Sequence, residues 1–337
     1  MKPPRHSPIA HAAYHDLLAS LQDEAVTSLR GTPTKVNRNG RTYWYDTYRV
    51  GTDVKKSYIG EDSPQLAARL AARADVQSDA DARAEGRTRL IRILRAEGFL
   101  RLDAGTGSLL SALARAGVFR LGGTIVGTHA FRLYEGELGV RYGFDQAAQT
   151  RDMDIASFAR LSLALEDTVS PPLAAVFQDF AFAPVPALQK QSVWRWKQTR
   201  RELMVEFLTP SFDADETITP LAALGVEAHS LHHLNYLIQN PILAAVPYRS
   251  GVLVQIPQPE RFAIHKLIVA DRRRAGDRIK AEKDRAQAAF LIRALAEDRP
   301  DELAEAYQTA RDQGPKWRTR LDATLARMDD ARVVLEG

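Results

Sequence analysis

The chain has 337 residues, a formal net charge of +4, 45% apolar and 26% charged residues, enough for one or two packed cores. It contains no cysteine, which excludes disulfides and thiolate metal centres, so any metal must sit on oxygen or imidazole. No stretch approaches the roughly 20 apolar residues of a membrane span, and no apolar run follows Met1-Lys2-Pro3-Pro4-Arg5, so a cytoplasmic protein with no membrane partner is expected.

Residues around Ala12–Leu29 read as a helix, ended by Gly31-Thr32-Pro33. Arg41–Val50 alternates in a β-rich composition, Gly51-Thr52-Asp53 turns the chain, and Val54–Gly60 returns, which predicts a hairpin. From Ser63 to about Ala96 the chain is rich in Ala, Arg and Leu, with Ser63-Pro64 as a helix start. Residues 1–108 are thus expected to form an N-terminal helix and hairpin extension.

The next segment, 109–258, mixes strands and helices without a repeating βαβ unit. A short helix over Leu109–Ala116 closes at Gly117, and an apolar strand is predicted over Val118–Val126, interrupted by Gly122-Gly123. A helix should follow Gly127-Thr128, and Thr150–Phe158 reads as a strand. Ser192–Lys197 and Leu203–Leu208 flank the basic turn Gln198-Thr199-Arg200-Arg201 as a second hairpin, and Gly251–Pro257 supplies one more strand. The stretch holding His229, His232 and His233 is predicted helical. The expectation is an α+β fold with a mixed sheet.

Residues 259–337 read as a C-terminal helical region. Pro259 suits a first helical position, a second helix spans Ala281–Ala296 and stops before Pro300, and the last is broken by Gly314-Pro315.

Three short segments carry chemistry. In a strand, residues two apart point the same way, so Asp152 and Asp154 share a face, their Cβ atoms roughly 6.5–7 Å apart. Such a pair can hold hard cations, and a third acid on a neighbouring strand is then expected. Glu206 lies between Val205 and Phe207, where an unpaired charge would be costly to bury; Glu202 is the fallback. The bland alternatives are a solvated strand edge for the aspartates and a cross-hairpin pair of Glu206 with Arg195 or Arg201. Gly127-Thr128 at a strand-to-helix transition would let backbone and helix N–H groups approach a triphosphate, and His129 beside it could contact the nucleotide or cap the helix. Gly122-Gly123-Thr124 competes for that role, though alternation around Leu121 and Ile125 reads as continuing strand.

Taken together, these residues resemble the DNA polymerase β-like nucleotidyltransferase superfamily, with its glycine turn, D-x-D strand and third acid. More closely, Val126–Ala130 and Thr150–Ile155 look like bacterial nucleotidyltransferase-fold proteins related to abortive-infection toxin-type enzymes. Pro259–Leu267 is similar to the helix carrying a nucleotide-contacting lysine, here Lys266, and Lys283-Asp284 followed by Gln287 resembles a later Lys-Asp pair. The third acid departs from that pattern, being glutamate where aspartate is more usual. The resemblance covers roughly residues 109–295. It implies a mixed-sheet palm, Mg²⁺ or Mn²⁺ on Asp152, Asp154 and Glu206, and an NTP near Gly127, Thr128, His129, Arg151, Lys266 and Lys283. It leaves the acceptor open among RNA, protein and small molecule, and a toxin-type enzyme would have a cognate antitoxin or other protein partner.

Arg41, Arg49, Lys55 and Lys56 flank Tyr43, Trp44 and Tyr45, a basic and aromatic hairpin that could neutralise phosphates and stack on bases. Equally, its aromatic face could pack onto the palm. His229 and His233 have i,i+4 spacing but lie in a Leu-rich stretch, which favours a structural role. Three readings follow: a metal-dependent enzyme transferring NMP from an NTP to a hydroxyl, with RNA slightly favoured as acceptor; an inert nucleotidyltransferase scaffold that binds nucleic acid or a protein partner; and a hydrolytic two-metal nuclease, which the glycine turn and Lys266 disfavour because they suit a triphosphate better.

Overall fold

The computed structural model describes residues 3–38, 40–50, 53–73, 80–143, 152–165, 167–187, 190–273 and 275–337. Helix α1 (Pro8–Thr27) starts at Ser7, whose hydroxyl accepts from the Ala10 amide. Strands β1 (Thr32–Arg38), β2 (Arg41–Val50) and β3 (Asp53–Glu61) form an antiparallel meander, one strand more than the predicted hairpin. The added strand β1 carries Pro33 and little apolar signal, which an edge strand tolerates. Helices α2 (Pro64–Ala71) and α3 (Ala80–Ala96) follow, and α1 buries Tyr14, Leu17 and Leu21 with Ile91 and Leu94 of α3.

Helix α4 (Ala104–Ala116) is capped by Asp103 and closed by Gly117 in the left-handed region. The predicted strand over 118–126 shrinks to β4 (Thr124–Val126), because Gly122 also takes a positive φ and turns the preceding residues back. Helix α5 (Gly127–Glu137) and strand β5 (Asp152–Ala156) come next, then α6 (Ala159–Ala164) and α7 (Leu173–Asp179). Strands β6 (Phe182–Ala187), β7 (Lys190–Gln198), β8 (Met204–Pro210), β9 (Ile218–Leu221) and β10 (Val226–Leu231) complete the large sheet. Its order is β4-β5-β8-β10-β9, with β5, β8 and β10 parallel. The edge of β8 is shared: β7 pairs antiparallel with its first half and β10 takes over further along.

A short helix α8 (Leu234–Leu237) leads to the hairpin of β11 (Ile242–Val246) and β12 (Val252–Ile256). The rest is helical: α9 (Pro259–Arg272), α10 (Arg278–Asp298), α11 (Pro300–Arg311), α12 (Pro315–Leu325) and α13 (Asp329–Glu336). Pro259, Pro300 and Pro315 each stand in a first turn, where the missing N–H costs nothing. The fold is α+β with a mixed sheet, as expected from the sequence.

The C-terminal helices are built onto the sheet through α5. Phe131 lies 6.3 Å from Phe262 of α9 and 6.1 Å from Phe290 of α10, centroid to centroid. Each such buried ring contributes about 1.5–3 kcal/mol, which sets α9 and α10 beside the N-terminal end of α5. The meander docks elsewhere: the Tyr45 hydroxyl donates to the Leu165 carbonyl at 3.1 Å, and the Tyr58 amide to Asp167 Oδ2 at 2.7 Å. No helix among the described residues is long and apolar enough to cross a membrane.

Candidate active site

Strands β5 and β8 run parallel in register, with Asp152 opposite Met204 and Asp154 opposite Glu206. Opposed residues face the same way, so Asp152, Asp154 and Glu206 share one side of the sheet. Met153, Ile155, Val205 and Phe207 are fully buried on the other. The apolar residues thereby hold the acids at the surface of the sheet rather than in its core.

The acids perturb one another. Burial first, then the charges of Glu206 and Asp152, push Asp154 up to about 7, against the partial relief of Lys266 and Arg273. Glu206 is also raised, by burial and by Asp152, while Arg195 and Lys280 oppose the shift. Carboxylates driven toward neutrality by their neighbours are relieved by a cation placed among them. Among the described residues no group of three or more His, Cys, Asp or Glu side chains is arranged to hold a metal ion as it stands. The donors on this face are nonetheless all carboxylate oxygens, the chemistry that suits Mg²⁺ or Mn²⁺.

Gly127 places the start of α5 against this acid. Val126 of β4 pairs with Asp154, and Gly127 then takes φ +67°. A Cβ built on Gly127 would lie 2.6 Å from Asp154 Oδ2, so only glycine satisfies both the backbone and the space. Among the described residues no side chain caps this helix start, so its first-turn N–H groups are placed to meet an outside acceptor.

Thr128 and His129 are buried in that first turn. His129 is 6% exposed, and among the described residues neither of its ring nitrogens has a hydrogen-bond partner. Burial lowers its pKa to about 4, helped by Arg132 and Lys283 and opposed by Asp103, so the ring is neutral at pH 7. Buried polar groups are seldom left so. On α10, Gln287 is 4% exposed with both amide atoms likewise unpartnered. Gln287 lies one helical turn from Lys283, and Arg132 one turn from Thr128, a spacing that the sequence carries.

Lys266 is buried on α9 and donates to Asp284 Oδ1 at 2.6 Å, while Arg273 Nε donates to Asp284 Oδ2 at 3.0 Å. The lysine expected to meet a phosphate is therefore held by a buried acid, and reaches Asp154 through its field. Lys283 is half-buried, and burial lowers its pKa, with Lys266 adding to the shift and Asp284 and Asp152 opposing it. Arg151 lies outside the described residues.

Other expectations are corrected. Tyr43 and Tyr45 are 6% and 1% exposed, packed in the core edge-on to Tyr58, so they cannot stack on bases. Trp44 faces outward but donates to Asp62 at 2.6 Å, Lys35 sits over its ring, and Arg41 pairs with Glu61. Arg49, Lys55 and Lys56 are exposed. His229 lies in β10, stacked on Trp194, and His232 pairs with Glu216 in the turn beyond it. The helix predicted there begins only after His233, whose φ of +70° breaks the i,i+4 geometry with His229. Arg195 does reach Glu206, at 3.9 Å, a charge contact rather than a hydrogen bond.

A family model described as nucleotidyltransferase matches residues 104–312, more than half of the chain. The chain belongs to this nucleotidyltransferase family. The match takes in the glycine turn, all three acids, Lys266 and Lys283 of the nucleotidyltransferase, and membership implies an NTP substrate. A second model, of a domain of unknown function (DUF6788), matches residues 11–68, from α1 through the meander to α2. No curated protein and no solved structure matches the nucleotidyltransferase.

Proposed function

We propose that this nucleotidyltransferase moves NMP from an NTP to a hydroxyl acceptor, RNA being favoured, with Asp152, Asp154 and Glu206 as ligands of Mg²⁺ or Mn²⁺. The observation that carries the reading is the position of Asp154, opposite Glu206 in the sheet and against Gly127 at an uncapped helix start. Acids for cations and free N–H groups for phosphates thus meet at one point.

The bound cations would lower the pKa of the attacking hydroxyl and neutralise the leaving pyrophosphate. The chain's own groups divide the rest. First-turn N–H groups of α5, with the Thr128 hydroxyl, receive the β- and γ-phosphates. Neutral His129 can give one hydrogen bond and accept another, and the Lys283 ammonium adds positive charge beside it. Glu206, on the far side of Asp154 from Gly127, faces the acceptor hydroxyl.

The alternative is an inert nucleotidyltransferase scaffold that binds nucleic acid or a protein partner. It draws on the absence, among the described residues, of a ready-made ligand set and on the capture of Lys266 by Asp284. The two readings separate when the protein is incubated with each α-labelled NTP, Mg²⁺ or Mn²⁺, and total RNA or lysate. Label entering RNA, protein or a small molecule names the acceptor. Label remaining in NTP under every condition supports the inert scaffold.

A further inference from the structure

The face that carries the acids continues past Glu206 onto β7. Arg195 is opposite Glu206 and Lys197 opposite Met204, so both point to the same side as the acids. Trp194 and Trp196, on the other side, pack against His229 and Phe177 and fix the strand's orientation. One strand further, Ala183 of β6 opposes Lys197 and is exposed. The sheet therefore offers an open floor, acidic on β5 and β8, basic on β7 and small and uncharged on β6. Strands are about 4.8 Å apart, so this floor extends roughly 10 Å beyond Glu206.

Two of the cations here are presented outward, and the third, Arg195, sits against the acid row, 3.9 Å from Glu206. Lys197 and Arg200 are exposed, and Arg195 lies over the Trp194 ring with its Nε buried and unpartnered among the described residues. Lys280, from α10, is near enough to oppose the shift of Glu206. On the N-terminal meander, Lys35 and Arg41 are paired with Asp62 and Glu61, while Arg49, Lys55 and Lys56 are exposed but do not lie on the sheet that carries the acids.

We infer that β7 and its turn are the track for the acceptor, and that the acceptor is an RNA strand whose terminal hydroxyl reaches Glu206. This rests on the nucleotidyl-transfer reading and deepens it. Arg195 and Lys197 are two residues apart on one face, roughly 6.5–7 Å, so neighbouring phosphates of an extended strand can meet both. Arg200 continues the row in the turn. An open strip of cations suits a polyanionic chain better than a small neutral molecule.

The test is fluorescence anisotropy of a short 5′-labelled single-stranded RNA with the full chain, over a salt series. Wild type is compared with Lys197→Glu/Arg200→Glu and with Lys55→Glu/Lys56→Glu, and binding of labelled NTP with Mg²⁺ is measured separately on each. The β7 variant is expected to lose at least about tenfold in RNA affinity, with the salt slope shallower by about 1.4 for two lost phosphate contacts. Its NTP binding stays, and the meander variant binds RNA like wild type. Equal RNA binding by all three proteins, loss in the meander variant alone, no RNA binding by wild type, or joint loss of RNA and NTP in the β7 variant overturns the track. Wild type that binds RNA through β7 but takes up no NTP overturns the acceptor role and identifies the nucleotide reading as the part that failed.

Discussion

Asp154 stands opposite Glu206 across the parallel β5–β8 pair, with the backbone of Gly127 pressed against its carboxylate. One residue thus joins the acid row to the helix start, and its charge is the least comfortable on this face. It is raised to about 7 by burial and by its acidic neighbours.

That discomfort gives a pH signature. A carboxyl with a raised folded-state pKa binds more protons folded than unfolded between pH 4 and 7, so its contribution to stability falls as pH rises through that window. Asp154→Asn removes the effect. The variant should gain relative to wild type between pH 5 and pH 8, by on the order of 3 kcal/mol at most, in urea unfolding followed by circular dichroism without divalent cations. A constant difference across that range would contradict the shift.

Gly127→Ala tests the close approach. A Cβ there meets Asp154 Oδ2 at a φ unfavourable to L-residues, so the turn must open or the acid must move. Loss of a hundredfold or more in nucleotide transfer is expected, with destabilisation on the order of 1–3 kcal/mol. Wild-type transfer rates would show that this contact is dispensable.

Asp284→Ala should be among the costliest single changes. It strips the partner from buried Lys266 and from Arg273, leaving an uncompensated charge between α9 and α10. A loss of about 3–5 kcal/mol is expected from denaturant unfolding. A double variant, Lys266→Met/Asp284→Leu, should recover most of that stability while remaining impaired in transfer.

His129→Phe separates a packing role from a polar one. The ring is buried and neutral, so phenylalanine fills the space but offers no hydrogen bond. Weaker NTP binding with stability within about 1 kcal/mol of wild type is expected. Unchanged NTP affinity would assign His129 to the core alone.

Much of the acid row was readable in the sequence, because a period of two places Asp152 and Asp154 together and the apolar flanks of Glu206 mark a strand. The arrangement of β5 beside β8 was not, since parallel neighbours meet through long connections that no local pattern encodes. The histidine stretch misled for a similar reason. Val226–Leu231 is a strand by its pairing with β8 and β9, whereas its composition suits a helix equally well. The sequence leaves Tyr43 and Tyr45 open between a binding surface and a packed face, because alternation in a strand tells which residues share a face but not which face meets solvent. The Lys266–Asp284 pair was also hidden, for it depends on how α9 and α10 pack.

The central claim is that the acids of β5 and β8 carry metal-dependent nucleotidyl transfer. The direct measurement is label transfer from an α-labelled NTP to RNA by wild type, with Mg²⁺ and with excess EDTA, beside Asp152→Asn/Asp154→Asn. Transfer by wild type that EDTA abolishes, and a reduction in the folded double variant of at least a thousandfold, is the predicted result. Undiminished transfer by the double variant, or transfer indifferent to EDTA, would contradict it.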